Sequence, residues 1–179
     1  MNASKVATLG GGCFWCLEAV YQEMDGISTI VSGYSGGHVA NPTYEQVCGK
    51  KTGHAEVVQL TFDPERVSYR TLLEVFFAIH DPTTLNAQGN DEGPQYRSAI
   101  FTHDDEQLRE AQSIIAELST EKVFDAPIVT EVAPLDIFYP AESYHQNYYR
   151  LHSVQPYCAF VISPKLTKFR KHFGSKART

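Results

Sequence analysis

Cys13 and Cys16 form a C-x-x-C pair directly after Gly10, Gly11 and Gly12. A thiol so placed can serve as a nucleophile, and a second thiol one helical turn on can close a disulfide with it. Glycines let the backbone turn tightly and approach a ligand closely. If a strand precedes them and a helix follows, Cys13 stands at a helix N-terminus, among unpaired N–H groups carrying partial positive charge. That setting is expected to lower the pKa of Cys13 and to activate it. Zinc is the other common use of such spacing, but it needs about four ligands. No second C-x-x-C and no His pair of ligand spacing accompanies this one, so no metal is expected. Phe14 and Trp15, lying between the thiols, suggest an apolar pocket for a small uncharged group.

Other residues could complete a site. Glu56 heads an apolar strand in Gly53-His54-Ala55-Glu56, where desolvation would keep a carboxyl protonated and make it a general acid. Tyr44 and Tyr96 lie in or beside polar loops, and their phenols can donate to an oxygen that gains negative charge. Asp91 sits in a Gly-flanked turn. His54 and His145 could orient neighbours and are left outside the catalytic set. Cys48 reads as a bystander. Cys158 lies in an apolar stretch, Tyr157-Cys158-Ala159-Phe160.

These groups need elements to hold them. Lys5–Leu9 reads as a strand and residues 14–24 as a helix ended by Gly26. Ile27–Tyr34 and His54–Phe62 read as strands, with a long polar stretch between them. Val67–Ile79 and His103–Ser119 read as amphipathic helices. Asp81–Gln95 is a second polar loop, followed by a strand at Arg97–Phe101. Further strands are expected at Ile128–Ala133 and Tyr157–Ile162, with a helix over Ala141–Leu151. Long loops without structure of their own are uncommon unless functional. The order predicts an α+β two-layer sandwich, a mixed sheet packed with helices.

Gly12-Cys13-Phe14-Trp15-Cys16 resembles the signature of the A-type peptide methionine sulfoxide reductases. Gly33-Tyr34-Ser35-Gly36-Gly37, Asn41-Pro42-Thr43-Tyr44, Gly53-His54-Ala55-Glu56, Gly89-Asn90-Asp91, Gln95-Tyr96-Arg97-Ser98 and Tyr144-His145-Gln146 match that family in order and approximate spacing. The likeness spans roughly residues 5–165. It implies a ferredoxin-like core and a defined reaction. The Cys13 thiolate would attack the sulfur of the S epimer of methionine sulfoxide, free or in proteins. Glu56 would supply the proton, with Tyr44 and Tyr96 beside it as donors. Phe14 and Trp15 would hold the methyl group, and Asp91 a site water or the substrate's backbone amide. Cys13 would become a sulfenic acid and then a disulfide. Thioredoxin would restore the thiols, with no bound cofactor. The resemblance leaves the resolving thiol open between Cys16 and Cys158; Cys16 is favoured because little chain movement is needed.

A rival reading is a thioredoxin-like disulfide oxidoreductase, with Pro127 facing the thiols. Another is a peptide-binding module with an aromatic cage of Trp15, Tyr44 and Tyr96.

The 179 residues suit one catalytic domain, with a core over about 5–165 and a basic tail after it. A net charge of −6 without a basic block argues against nucleic acid and anionic membranes as partners. No apolar run approaches the roughly 18 residues of a membrane span. Met1–Leu9 does not read as a secretory signal, and four unevenly placed cysteines are not a disulfide scaffold. A cytoplasmic monomer is expected.

Overall fold

Lys5–Gly11 forms strand β1, and its alternation sets the layout of the molecule. Ala7 and Leu9 face a layer of helices and are fully buried there. The chain is described from a computed structural model covering residues 3–178. After β1 come α1 (Phe14–Tyr21), β2 (Ile27–Ser35), α2 (Tyr44–Cys48), β3 (Ala55–Phe62) and α3 (Tyr69–Ile79). A two-strand ribbon, β4 (Ala87–Gln88) and β5 (Asp91–Glu92), precedes β6 (Ser98–Thr102) and α4 (Asp105–Thr120). The remainder is β7 (Glu131–Pro134), β8 (Phe138–Pro140), α5 (Tyr148–His152) and α6 (Ser163–Phe173).

The main sheet has the order β7-β6-β1-β3-β2-β8. Its central strands β6-β1-β3-β2 pair antiparallel throughout, and β7 adds to β6 in parallel. This is the ferredoxin-like βαββαβ arrangement of interleaved crossover units, widened at both edges into a mixed sheet. It is the α+β architecture the sequence predicts.

Period-2 alternation decides where the functional side chain of β3 goes. Val58, Leu60 and Phe62 join the helix-side core, while Ala55 and Val57 join a smaller cluster on the opposite face with Ala99 and Phe101. Glu56 shares the parity of Val58 and therefore points toward the helices. The helix layer is held by the apolar stripe of α3, where Leu72, Leu73 and Phe76 are fully buried. Each such side chain contributes roughly 1.5–3 kcal/mol. Ser68 caps α3 through the N–H of Thr71, and Asp104 caps α4 through that of Gln107. The Gln107 side chain then donates to Val6 O at 2.8 Å, docking α4 on β1.

Both polar loops contain structure that their composition hides. The first carries α2, opened by a capping box between Thr43 and Gln46. The second carries the β4-β5 ribbon.

Three expectations are corrected. Tyr157–Ile162 is not a strand: Cys158–Ile162 is a π-helical turn running straight into α6. Short apolar runs do not distinguish a buried strand from a buried helical segment. Ala141–Leu151 is not one helix, because Asn147 takes a left-handed conformation (φ +58°) that separates a 3-10 turn at Ser143–His145 from α5. The basic segment after residue 165 is not a tail but α6, which buries Leu166 and Phe169 and leaves its basic residues outside. Among the described residues, no helix is long and apolar enough to cross a membrane.

Candidate active site

Gly12, with φ +94°, turns the chain out of β1 so that Cys13 becomes the N-cap of α1. Cys13 is 8% exposed and Cys16 is 2% exposed. Both thiols are free and lie one helical turn apart at the start of α1, close enough to shift each other's pKa. The expected lowering of the Cys13 pKa is not found. Burial pushes its thiol well above its ordinary value, and the bond to Cys16 and the nearby Glu56 carboxyl push the same way. The lowering falls instead on Cys16, to about 7, chiefly through the hydrogen bond from Cys13 and against its own burial, with help from the charge of Lys165. The helix-end effect is real but small beside desolvation. The pair therefore releases its first proton as a unit.

Glu56 is 1% exposed. Its Oε1 accepts the backbone N–H of Phe14 at 3.1 Å, and its Oε2 is buried with no partner among the described residues. Burial pushes its pKa up to about 8 even though the Phe14 N–H favours the charged form. The carboxyl is therefore largely protonated at neutral pH, beside the peptide that follows Cys13. Tyr44, from α2, and Tyr96, from a 3-10 turn at Pro94–Tyr96, are half-buried. Burial, followed by the negative charge of Glu56, raises both phenol pKa values, so both remain O–H donors.

The aromatic wall is built from several elements. Phe14 is fully buried against Tyr34, with ring centroids 5.7 Å apart. Trp15 is half-buried and stacks on Tyr148 at 3.7 Å with planes 6° apart. Its indole N–H donates to Nδ1 of His145 at 3.1 Å. Asp91, on β5, accepts the Tyr157 hydroxyl at 2.7 Å, and that hydroxyl lies 3.8 Å from the Cys16 sulfur. Cys158 is fully buried at the start of the π turn, where burial raises its thiol pKa.

The fold thus gathers Cys13, Cys16, Phe14, Trp15, Glu56, Tyr44, Tyr96 and Asp91 around the start of α1. Cys48 closes α2, the helix that Tyr44 opens, and its thiol pKa is raised chiefly by burial. His54 is a structural pin: its Nδ1 accepts from Gly37 N at 3.0 Å while Nε2 lies 2.7 Å from Val39 O.

Several site-building residues escape the sequence reading. Glu142 accepts the Tyr34 hydroxyl and the Tyr44 N–H, each at 2.9 Å. Buried Glu18 accepts the N–H groups of Asn147 and Tyr148, at 3.0 and 3.3 Å, and so seats α5 under Trp15. Gln146 pairs with both the N–H and C=O of Ser32 at 3.0 Å, as a further strand would. Only the Tyr144-His145-Gln146 motif signalled this cluster.

Two adjacent thiols, a buried protonated carboxyl and phenol donors make the site of a thiol-dependent oxidoreductase that reduces a polar oxygen on a small apolar group. Comparison with known proteins agrees. A family model described as peptide methionine sulfoxide reductase matches residues 5–177. The peptide methionine sulfoxide reductase MsrA of Polynucleobacter asymbioticus is 58% identical over 169 residues, 94% of this chain and 89% of that one. The structure of Mxr1 from Saccharomyces cerevisiae in reduced form superposes with a TM-score of 0.81 at 38% identity, covering 87% of this chain and 90% of that one. Mxr1 in complex with Trx2 superposes with a TM-score of 0.58 at 30% identity, over 82% and 85% of the two chains. The chain belongs to the peptide methionine sulfoxide reductase family, and its activity is the reduction of methionine sulfoxide to methionine. Pro127, on which the thioredoxin-like alternative rests, lies in the loop before β7 and lines a surface pocket with Leu118 and Ile128, a pocket that includes neither thiol.

Proposed function

We propose that Cys13 is the nucleophile and Glu56 the proton donor in the reduction of the S epimer of methionine sulfoxide. The observation that carries this is the unpartnered, buried Oε2 of Glu56, on a carboxyl held protonated and bonded to the peptide after Cys13. The Cys13 sulfur, as thiolate, attacks the sulfoxide sulfur. The attack forms an S–S bond as Glu56 gives its proton to the oxygen. The substrate's S–O bond then breaks, the oxygen bonds to the Cys13 sulfur as a sulfenic acid, and the S–S bond breaks with its electron pair going to the departing methionine. Tyr44 and Tyr96 donate to that oxygen as its negative charge grows. Phe14 and Trp15 enclose the methyl group, and Asp91 takes the substrate's backbone amide or a water beside it.

Cys16 resolves the intermediate. Its sulfur attacks the sulfenic sulfur, the S–O bond breaks, and the hydroxide released is protonated to water. The place of Cys16 one helical turn from Cys13, where the two thiols shift each other's pKa, supports this choice over Cys158, which is buried in a π turn. An external dithiol then reduces the disulfide by exchange. The complex of the homologue Mxr1 with Trx2 supports thioredoxin as that dithiol. All of these side chains come from one chain, so a monomer suffices, and the cytoplasm is the compartment whose reductants suit it.

Mass mapping of the disulfide after one turnover tests the scheme in the parent, Cys16→Ser and Cys158→Ser proteins. A Cys13–Cys16 bridge in the parent and in Cys158→Ser is expected. A Cys13–Cys158 bridge in the parent overturns the resolving assignment, and turnover by Cys13→Ser overturns the nucleophile.

A further inference from the structure

Trp15 is the only tryptophan in the chain, and its orientation has two supports. The first is the flat stack on Tyr148 at 3.7 Å, which sets the plane of the indole but leaves it free to rotate within that plane. The second is the N–H bond to Nδ1 of His145 at 3.1 Å, which removes that freedom. An indole nitrogen can only donate, so Nδ1 must accept. The imidazole is therefore neutral and carries its hydrogen on Nε2.

The His145 ring is 1% exposed and packs inside the site wall, with centroids 5.2 Å from Phe14 and 4.3 Å from Tyr44. Among the described residues Nε2 is buried without a partner, so Trp15 is the sole hydrogen-bond partner of this ring there. The two hydrogen bonds between the Gln146 side chain and the Ser32 backbone anchor the next residue to β2. The ring's place is thus set by the sheet and not by a mobile loop.

We propose that neutral His145 is a positioning residue for this reaction, its Nδ1 fixing the edge of Trp15 so that the methyl-binding wall is formed before substrate arrives. This rests on the reading that Trp15 holds the substrate methyl. Protonation of Nδ1 would set N–H against N–H and release the indole. The titratable groups facing the ring are the Glu142 and Glu45 carboxylates, which favour protonation, and the uncharged phenols of Tyr44 and Tyr144. Burial opposes protonation and prevails, so the ring's pKa lies below its ordinary value.

The test pairs kinetics with the single indole N–H resonance of the 15N-labelled full chain. His145→Asn leaves an amide oxygen where Nδ1 was and keeps most of the substrate affinity. His145→Phe and His145→Gln remove the acceptor at that place; KM is expected to rise about tenfold, with kcat within about a factor of two. An unaltered KM in His145→Phe, or rescue by Gln and not by Asn, overturns the proposal. Titration of the parent without substrate is independent of how the variants fold. The indole resonance should move with the same midpoint as the His145 ring, below its ordinary value, and an indole that stays fixed while that ring protonates overturns the proposal. Trp15→Phe reads the underlying assignment separately. An unchanged KM there, with the parent indole still following His145, overturns the methyl-pocket reading and leaves the hydrogen bond standing.

Discussion

The backbone N–H of Phe14 donates to Oε1 of Glu56 at 3.1 Å, joining the first peptide of α1 to the buried carboxyl of β3. One contact therefore sets the spacing between the sulfur of residue 13 and the acid that works with it. It also uses an N–H that a helix start otherwise leaves without a partner. By itself the bond favours a carboxylate, but burial is the larger effect and the carboxyl stays protonated.

Glu56 therefore makes activity and stability oppose each other. Its pKa is about 8 in the folded chain against an ordinary value of 4.5. Between those values the folded protein holds a proton that the unfolded chain has lost, so stability falls as pH rises through this window and levels off above it. Glu56→Gln buries no charge. It should be more stable than the parent at pH 8, by on the order of 1–3 kcal/mol, and equal to it near pH 4. Its first reduction step should slow by about 10²–10³. Urea unfolding at the two pH values and single-turnover kinetics measure both. A parent whose stability is flat across the window, or a Gln variant of undiminished rate, contradicts the assignment.

The thiol pair gives a second expectation. Cys16 is held near 7 chiefly because Cys13 donates to its sulfur. Cys13→Ala removes that donor and leaves burial to act alone with the weaker charges. The alkylation midpoint of Cys16, followed by mass spectrometry against pH, should rise by about one to two units. An unmoved midpoint would mean that Lys165 or the Tyr157 hydroxyl, not Cys13, stabilises the thiolate.

Much of the frame, and most of the side chains that the fold brings together at the candidate site, could be read before the structure. Helices α3 and α4 have strong periodicity, α1 is framed by Gly12 and Gly26, and the alternation of β3 sends Glu56 to the helix side. What stayed hidden follows from short-range ambiguity and long-range partnership. Cys158 and its neighbours are apolar in a helix as they would be in a strand, and only Ser163-Pro164 marks a helix start nearby. Glu18 looks like a surface residue of α1 until α5, more than 120 residues on, supplies the N–H groups that it accepts. The Cys13 pKa runs opposite to the sequence expectation because a helix end is visible in a sequence and burial beside a carboxyl is not.

That distant partnership predicts a specific loss. Glu18→Ala leaves the Asn147 and Tyr148 N–H groups without acceptors, at a cost of about 1–3 kcal/mol. The seat of Tyr148 under Trp15 goes with them. Trp15 should become more mobile, seen as lower fluorescence anisotropy in the folded range, and KM should rise. Glu18→Gln keeps one acceptor oxygen and should fall between the two. Destabilisation with unchanged Trp15 anisotropy would separate α5 from the pocket and refute the link.

Gly12 concentrates backbone and packing demands at one position. Its φ of +94° lies where side chains are strained, and a Cβ there would stand 2.7 Å from Cγ and 2.9 Å from Cβ of Gln88. Gln88 cannot swing aside freely, because its amide is bonded to both the N–H and the C=O of Asp81 at 2.9 Å. Relief must break those bonds or shift Cys13. Gly12→Ala should cost about 2–4 kcal/mol and most of the activity. Gly89 provides the comparison, with φ +58° and nothing within 4 Å of the added carbon. Gly89→Ala carries only the backbone cost, about 1 kcal/mol. Denaturant midpoints of the two variants measure the difference, and equal losses would show that the turn before Cys13 yields without disturbing Gln88.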